Sequence, residues 1–561
     1  MIFLLKIISL FWLIRTTKAV LFWIYLWQLK EYHIGRFLDH FRTNKGKRIF
    51  FNFLFASKLL LFALFWAIPT IASYILLAVY ILESALIVVR RLKKPVFTLK
   101  TILLTLVLFF IIAGYLLSIS QYVMDFYMVY YLLIFDILVP IIASLVILLI
   151  QPIFVYFRIN ILKKATEKMD GFKNLTVIGV TGSYGKTSTK EFLTTILFSK
   201  FKVLSTKDHK NSEIGIAETI LKELNKEHQI FIVEMGAYNK GGINLLCDIT
   251  KPSIGIVTGV NEQHLSTFGS MENLLSAEGG VELLSSLPKD GLLVVNGDNK
   301  YCMNLYRNGF GHLYNSFARS EDKNKILSSS LPRNYKNLEK TLRKKIYSLK
   351  NDKVDSDIWA EEISVLERSL DFMTMNKEKE AMHFNVKVLG KQNIQNLLGA
   401  ILVARELGMS LEEISLAVKN IKPEQAGITL KIGVHSINII DSSYSSNPDG
   451  VMADLDYLNI FNGKKVVVMP CLIELGKKSS EVHQQIGKKI AEVCDMAIIT
   501  TKDKFEEIKN SAMQNGLAGD KIILCERPKE IFHLITASCK AGDAVLLEGG
   551  RPKELIKLLG K

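Results

Sequence analysis

No Cys-x-x-Cys pair occurs in the 561 residues, and none of the six cysteines forms a Cys/His cluster at zinc-ligand spacing. A zinc module is thereby excluded, and so is a disulfide framework: scattered thiols of this kind belong to a reducing cytosol, as buried small hydrophobes. Acidic residues are scarce at one end of the chain. Residues 1–165 hold 18 Lys/Arg against five Asp/Glu, so this third carries 13 of the 16 net positive charges, and the rest is close to neutral. Disorder and collagen are excluded by 49% apolar, 10% aromatic and 22% charged residues. The excess of basic residues would ordinarily suggest nucleic acid as a partner. Here these residues stand between apolar runs, which is a membrane-topology signal instead. The first apolar run is long and no small-x-small site follows it, so a cleavable signal peptide is not expected.

Five apolar stretches are long enough to span a bilayer, near 2–27, 49–66, 68–89, 101–119 and 127–152. Arg15 and Lys18 interrupt the first and Lys58 the second, so the first also suits an interfacial helix. Lys and Arg crowd the 28–48 loop, the 90–100 loop and the exit at Arg158, Lys163 and Lys164, and they are absent from 67–70 and 118–124. Every second connection is basic. This predicts a multi-pass plasma-membrane domain with the N-terminus outside and everything beyond 165 in the cytoplasm. Glu83, Asp125 and Asp136 lie in or at the edge of these spans; with no basic partner visible, packing within the bundle is the plainer reading.

After a polar linker at 163–174, the run Leu175–Val180 reads as a buried parallel strand. It leads into Thr181-Gly182-Ser183-Tyr184-Gly185-Lys186-Thr187-Ser188 and then a helical pattern from Thr189 to about Ser199. Strand, glycine-rich turn, Gly-Lys-Thr and helix make a phosphate loop. Backbone N–H groups surround phosphates, Lys186 neutralises β/γ oxygens and the Thr187 hydroxyl suits Mg²⁺. Val180 replaces the first glycine of the strict pattern. A second strand, Ile230–Val233, ends in Glu234, a carboxylate placed to hold Mg²⁺ or a water. A third, Ile254–Thr258, leads to His264, which spacing alone leaves open between a ligand and a structural residue.

These residues resemble the central domain of the Mur ligase family. The matching runs are Gly179–Lys190, Asn211–Gly215, Glu234–Gly236, and His264 followed by Gly269-Ser270. Asn296-Gly297-Asp298, Gly390–Asn396, Asp441–Pro448, and Ile473–Gly476 with His483 extend the resemblance across roughly 170–561. Within the family it is most similar to the branch that adds D-alanyl-D-alanine to a muramyl tripeptide. The chain departs from the family where membrane spans replace the uridine-nucleotide-binding domain. Gln392 stands for a histidine, Glu548-Gly549-Gly550-Arg551 for Lys-Gly-Ser-Arg, and the arginine after the linker is missing at 423–428. The family's carbamylated lysine is also absent: counting forward from Gly269 puts Glu278 there, and counting back from Pro288 puts Gly280 there. A glutamate at that position supplies the same negative charge as a carbamate.

The expected architecture is an α-helical membrane domain (1–165) followed by two α/β domains. These are a P-loop Mur-ligase central domain (170–425) and a Rossmann-like doubly wound C-terminal domain (429–561), with strands at Val466–Met469, Met496–Thr500, Ile522–Leu524 and Ala544–Leu547. The lysine-rich segment 319–356 reads as a surface insertion. The resemblance implies an ADP-forming peptide ligase with ATP and Mg²⁺. In it Lys186, Glu234 and His264 are catalytic, residues 181–188 and Asn296 bind ATP, and Thr187, Glu234, His264 and Glu278 are metal ligands. Asp441, Tyr444 and Asn447 would line the substrate side. The implied partners are a cell-wall precursor, in one form lipid-linked, and an amino acid or dipeptide. Alternatives are a ligase of poly-γ-glutamate type and an ATP-driven transport or scaffold protein.

Overall fold

The computed structural model describes residues 2–30, 32, 34–41, 43–89, 93–123, 125–207, 210–308, 342–352, 354–443, 446–550 and 553–560. They divide into two units, Met1–Asn160 and Ile161–Lys561.

The first unit is helical. Among the described residues four helices are long and apolar enough to cross a membrane: Ile2–Leu29, Pro69–Val89, Leu99–Tyr122 and Asp125–Asp170. Their starts follow local chemistry. Pro69 supplies a preset φ, and Thr98 with Thr101 makes a reciprocal capping box. The first stretch is one unbroken helix despite Arg15 and Lys18. The second differs from expectation. Asn52 caps a new helix by accepting from the Phe55 N–H, so 49–66 divides into the end of Asn44–Phe50 and the 12-residue Phe53–Leu64. At 1.5 Å per residue that helix is about 18 Å long, well short of a ~30 Å hydrocarbon core. A shared core of Trp12, Ile24, Leu76, Leu104, Leu132 and Ala143 joins the four long helices. Glu83 and Asp136 also have basic partners, in Arg15 and Lys58. The linker expected at 163–174 is instead mostly the last two turns of the 46-residue helix ending at Asp170.

Among the described residues the second unit holds two sheets. The first has nine strands in the order β2-β3-β1-β4-β5-β6-β7-β8-β9. Its members are β1 (Thr176–Thr181), β2 (Val203–Ser205), β3 (Ile230–Glu234), β4 (Ile254–Val257), β5 (Leu292–Asn296), β6 (Arg343–Ser348), β7 (Ile358–Val365), β8 (Leu370–Asn376) and β9 (Ala381–Val386). Pairing is parallel from β2 to β7 and antiparallel at β7–β8–β9. The 319–356 insertion is corrected here. Arg343–Ser348 is an interior strand between β5 and β7, while 319–341 lies outside the described residues.

After Pro423–Ala426, a single 3₁₀ turn closed by Gly427, the second sheet runs β10-β11-β15-β12-β13-β14. These strands are β10 (Thr429–Ile432), β11 (Asn438–Ser442), β12 (Lys465–Met469), β13 (Met496–Ile499), β14 (Ile522–Leu524) and β15 (Ala544–Glu548), parallel except for β10. One hydrophobic cluster runs from Phe192, Ile232 and Leu397 in the first sheet and the helices on it to Val467 and Leu546 in the second sheet and Leu455 on the helix Pro448–Leu458. The Tyr457 hydroxyl donates to the Glu367 carbonyl (2.5 Å), and Gln425 reaches Thr195 (3.0 Å), tying the two layers together. All six cysteines are buried and free.

Candidate active site

The site forms where the parallel strands of the first sheet end. β1 stops at Thr181, and the helix Lys186–Phe198 begins at Lys186 itself, three residues earlier than the sequence pattern suggests. The turn between them works only with glycine at its start. Gly182 has φ +138°, and a Cβ there would sit 2.3 Å from the Thr258 hydroxyl. The loop is pinned from β4: Ser183 N–H donates to the Gly259 carbonyl (2.7 Å), and Thr258 donates to the Tyr184 carbonyl. What results is an anion-binding turn at a helix N-terminus. The Lys186 ammonium lies over its own loop, donating to the Gly182 carbonyl.

Two carboxylates flank this loop. Glu234, at the tip of β3 and almost wholly buried, accepts from the Thr187 hydroxyl (3.0 Å) and from Asn211 Nδ2 (3.1 Å), both on Oε1. Its Oε2 is buried without a hydrogen bond, with the Lys190 ammonium 3.5 Å away. Lys190 is itself fully buried and donates to the Thr206 carbonyl (2.7 Å), while the Thr206 hydroxyl accepts from the Glu234 N–H.

On the other side stands Glu278, 1% exposed. Its carboxylate accepts from the Ser183 hydroxyl (3.0 Å) and lies 3.3 Å from His264 Nδ1 and 3.7 Å from the Lys186 ammonium. Burial alone would raise its pKa. The charges of Lys186 and His264, with the hydrogen bonds from His264 and Ser183, outweigh that and hold it below the usual carboxylate range. A solvated glutamate at a helix start is therefore excluded, since Glu278 caps the C-terminal end of Met271–Ala277 from inside the protein. The rival register fails on space: Gly280 has φ +87°, and a Cβ there would meet Val257 Cγ2 at 2.5 Å.

His264 adopts a left-handed backbone (φ +64°), which turns its Nε2 toward Glu474, 3.8 Å away. The Ser266 N–H donates to the Glu474 carbonyl (3.0 Å), so the second sheet's domain touches the histidine loop directly. A second bridge is Asn261, whose amide reaches Asn447 (3.0 Å) and Asp449 (2.7 Å).

The expected residues thus fall into two clusters, Thr187–Glu234 and His264–Glu278, on either side of Lys186. Three of the expected residues have internal partners. Asn296 is 1% exposed, and its amide is used internally, donating to the Thr258 carbonyl (2.8 Å) and accepting from the Asp298 N–H (3.0 Å). It shapes the loop after β4. Asn447 is a helix cap, and Asp441 accepts from Ser443 within its own turn. Tyr444 lies outside the described residues. Asn211, Lys190 and Asn261 complete the site; Asn211 and Lys190 lie within the runs that carry the resemblance, and Asn261 three residues before His264.

Mg²⁺ can be tested against these donors. Among the described residues no three His, Cys, Asp or Glu side chains are placed so as to hold a metal ion by themselves. A hydroxyl–carboxylate pair with one orphaned buried oxygen fits an ion that takes one or two protein ligands and completes its shell with phosphate and water.

The Mur ligase middle domain model matches residues 180–404, and the Mur ligase glutamate ligase domain model matches 429–551. The chain belongs to the Mur ligase family. Its members are ATP-dependent, ADP-forming peptide ligases, and this chain is an enzyme of that class. Among similar curated proteins is the UDP-N-acetylmuramoyl-tripeptide–D-alanyl-D-alanine ligase of Bacillus subtilis, 24% identical over 68% of this chain and 75% of that one. Its Escherichia coli counterpart is 26% identical over 66% and 75%. The fold is shared with MurF from Acinetobacter baumannii (TM-score 0.58, 23% identity, 72% of this chain and 79% of that one). It is also shared with MurF from Thermotoga maritima in complex with ADP (TM-score 0.57, 23% identity, 72% and 83%). The matches leave the apolar helical unit of this Mur ligase outside both family models.

Proposed function

We propose that this Mur ligase joins a dipeptide such as D-alanyl-D-alanine to the peptide carboxylate of a muramyl precursor, with its first unit lying in the membrane. The observation that carries the reading is the arrangement of Thr187–Glu234 and Glu278–His264 on either side of Lys186, on a chain whose similar curated relatives carry out this ligation. Lys186 neutralises phosphate oxygens, and Ser183 and the loop N–H groups orient them. An acceptor carboxylate oxygen attacks the γ-phosphorus and ADP leaves, forming an acyl phosphate. The amine nitrogen then attacks the acyl carbon, phosphate departs, and the nitrogen loses its proton. Mg²⁺ held by Thr187 and Glu234 would neutralise the charge of the transferring phosphoryl group. Glu278 keeps His264 and Lys186 in place as a permanent carboxylate where the family uses a carbamate.

The four long apolar helices and the alternating basic loops support a plasma-membrane location with the ligase unit in the cytoplasm. The test is ADP release by the detergent-purified full chain with UDP-N-acetylmuramoyl-tripeptide, or its lipid-linked form, and D-alanyl-D-alanine. Release that requires both, with product mass increased by the dipeptide less water, supports the reading. Release indifferent to either substrate contradicts it.

A further inference from the structure

We propose that the first unit contains a binding cavity for the head of a zwitterionic amphipath, a molecule bearing one ammonium and one phosphate or carboxylate. The proposal rests on the reading that this unit lies in a bilayer.

Four helices each contribute one charge to a single point. Arg15 comes from Ile2–Leu29, Lys58 from Phe53–Leu64, Glu83 from Pro69–Val89 and Asp136 from Asp125–Asp170. Arg15 Nε is 3.1 Å from Glu83, and its Nη1 pairs with Asp136. Lys58 Nζ is 2.5 Å from Glu83 and 2.9 Å from Asp136. Lys58 and Asp136 have side-chain exposures of 1% and 0%. Burying an ion costs several kcal/mol even after relaxation, so four charges are an expensive way to pin helices that already share an apolar core. Intramembrane charges of this kind mark sites where polar species are handled. The Tyr80 and Thr16 hydroxyls, both fully buried and without a hydrogen-bond partner, add polar groups on the same helices.

The cluster is not packed shut. A cavity of ≈ 160 Å³ reaches it, lined by Arg15, Lys18, Glu83 and Asp136 and by the aromatic rings of Trp23, Phe50 and Phe55. Arg15 and Trp23 are about 12 Å apart along their helix at 1.5 Å per residue. A cavity of about 150 Å³ holds a molecule the size of benzene, so this one takes a head group and leaves a tail outside.

The chemistry of the walls selects the head. The aromatic faces of Trp23, Phe50 and Phe55 favour an ammonium. The Arg15 guanidinium, with five N–H donors, favours an oxyanion.

The experiment is a tryptophan-fluorescence titration of the full chain in detergent micelles. The probes are lysophosphatidylethanolamine, glycerophosphoethanolamine, alanine and lysophosphatidylglycerol. The proposal expects saturable binding of a zwitterionic probe, at least ten-fold tighter than that of the anionic lysophosphatidylglycerol. A requirement for the acyl chain identifies a membrane lipid as the source, and equal binding of a chain-free probe identifies a soluble zwitterion. The Arg15→Gln/Asp136→Asn double variant removes one charge of each sign, leaving the net charge unchanged, and should weaken binding at least ten-fold. Phe55→Trp fills the cavity without touching a charge and should do the same should the double variant not fold. No saturable response to any zwitterion, equal binding by the folded variants, or equal affinity for lysophosphatidylglycerol would overturn the proposal. Failure of the bilayer reading shows separately, as release of the protein from membranes by alkaline carbonate.

Discussion

Replacing Glu278 by glutamine keeps the side chain's shape and removes its charge. Three partners feel the change: the Ser183 hydroxyl at 3.0 Å, His264 Nδ1 at 3.3 Å and the Lys186 ammonium at 3.7 Å. The glutamine still accepts from Ser183. It loses two charge-assisted contacts, each contributing about 1.5–3 kcal/mol when intact. Part of that loss is returned, because a neutral amide is cheaper to bury than a carboxylate. The expected net destabilisation is about 1–3 kcal/mol. Lys186 is no longer held between its loop and a fixed anion, so kcat should fall about 10²–10³-fold, as when one preorganised electrostatic partner is removed. The pH dependence has a definite sign. A carboxyl held below its unfolded pKa of about 4.3 contributes stability above that pH, and loses it as pH falls through the folded value. Wild type should therefore lose stability on acidification below about pH 4 more steeply than Glu278→Gln. The decisive assay is kcat against Mg²⁺ concentration for both proteins, with thermal melts at several pH values. Superimposable curves would show that Glu278 has no part in the site. Wild-type activity should also be indifferent to bicarbonate, because its carboxylate is permanent, while Glu278→Lys should regain some activity when bicarbonate is added.

Lys186→Ala should reduce ATP turnover at least 10²-fold while leaving the melting temperature within a few degrees, because its direct partners are one loop carbonyl and Glu278; normal kcat would remove the phosphate-loop assignment. A cysteine placed at Ser120 should react with an impermeant maleimide from outside the cell and one at Lys45 should not, and the reverse would overturn the membrane orientation. Glu548 is buried beside Asp454, and burial first, then that neighbouring carboxylate, raises its pKa well above the ordinary value. A raised carboxyl favours folding below its unfolded pKa and loses that contribution as pH rises through the folded one. Glu548→Gln should accordingly stabilise the protein increasingly from pH 5 to 9, by about 2–4 °C in Tm per kcal/mol, and a gain that does not grow with pH would contradict the assignment.

Much of the catalytic layer was legible because its strands are buried on both faces. Ile230–Val233 and Ile254–Thr258 are continuous apolar runs, and a carboxylate at a strand tip can be placed by reading alone. β6 escaped notice because Arg-Lys-Lys-Ile-Tyr-Ser is basic over the half that stays accessible. β8 does alternate, with Leu370, Phe372, Thr374 and Asn376 inward, and a period-two search would have found it. The Glu278 position could not be chosen between two counts until φ and burial excluded Gly280. The apolar stretch at 49–66 has the composition of a span, yet one capping asparagine divides it. Arg15, Lys58, Glu83 and Asp136 were each visible as interruptions of apolar runs. Their convergence joins positions up to 121 residues apart, which periodicity does not encode.

The central claim is that this chain activates a carboxylate with the γ-phosphate of ATP, and isotope transfer tests it most directly. UDP-N-acetylmuramoyl-tripeptide carrying ¹⁸O in its terminal carboxylate is incubated with the purified full chain, ATP, Mg²⁺ and D-alanyl-D-alanine, and the released phosphate is analysed by mass spectrometry. Passage through an acyl phosphate predicts one ¹⁸O atom in each phosphate formed from doubly labelled acceptor. Phosphate released with no ¹⁸O would mean that water, rather than the carboxylate, attacks ATP.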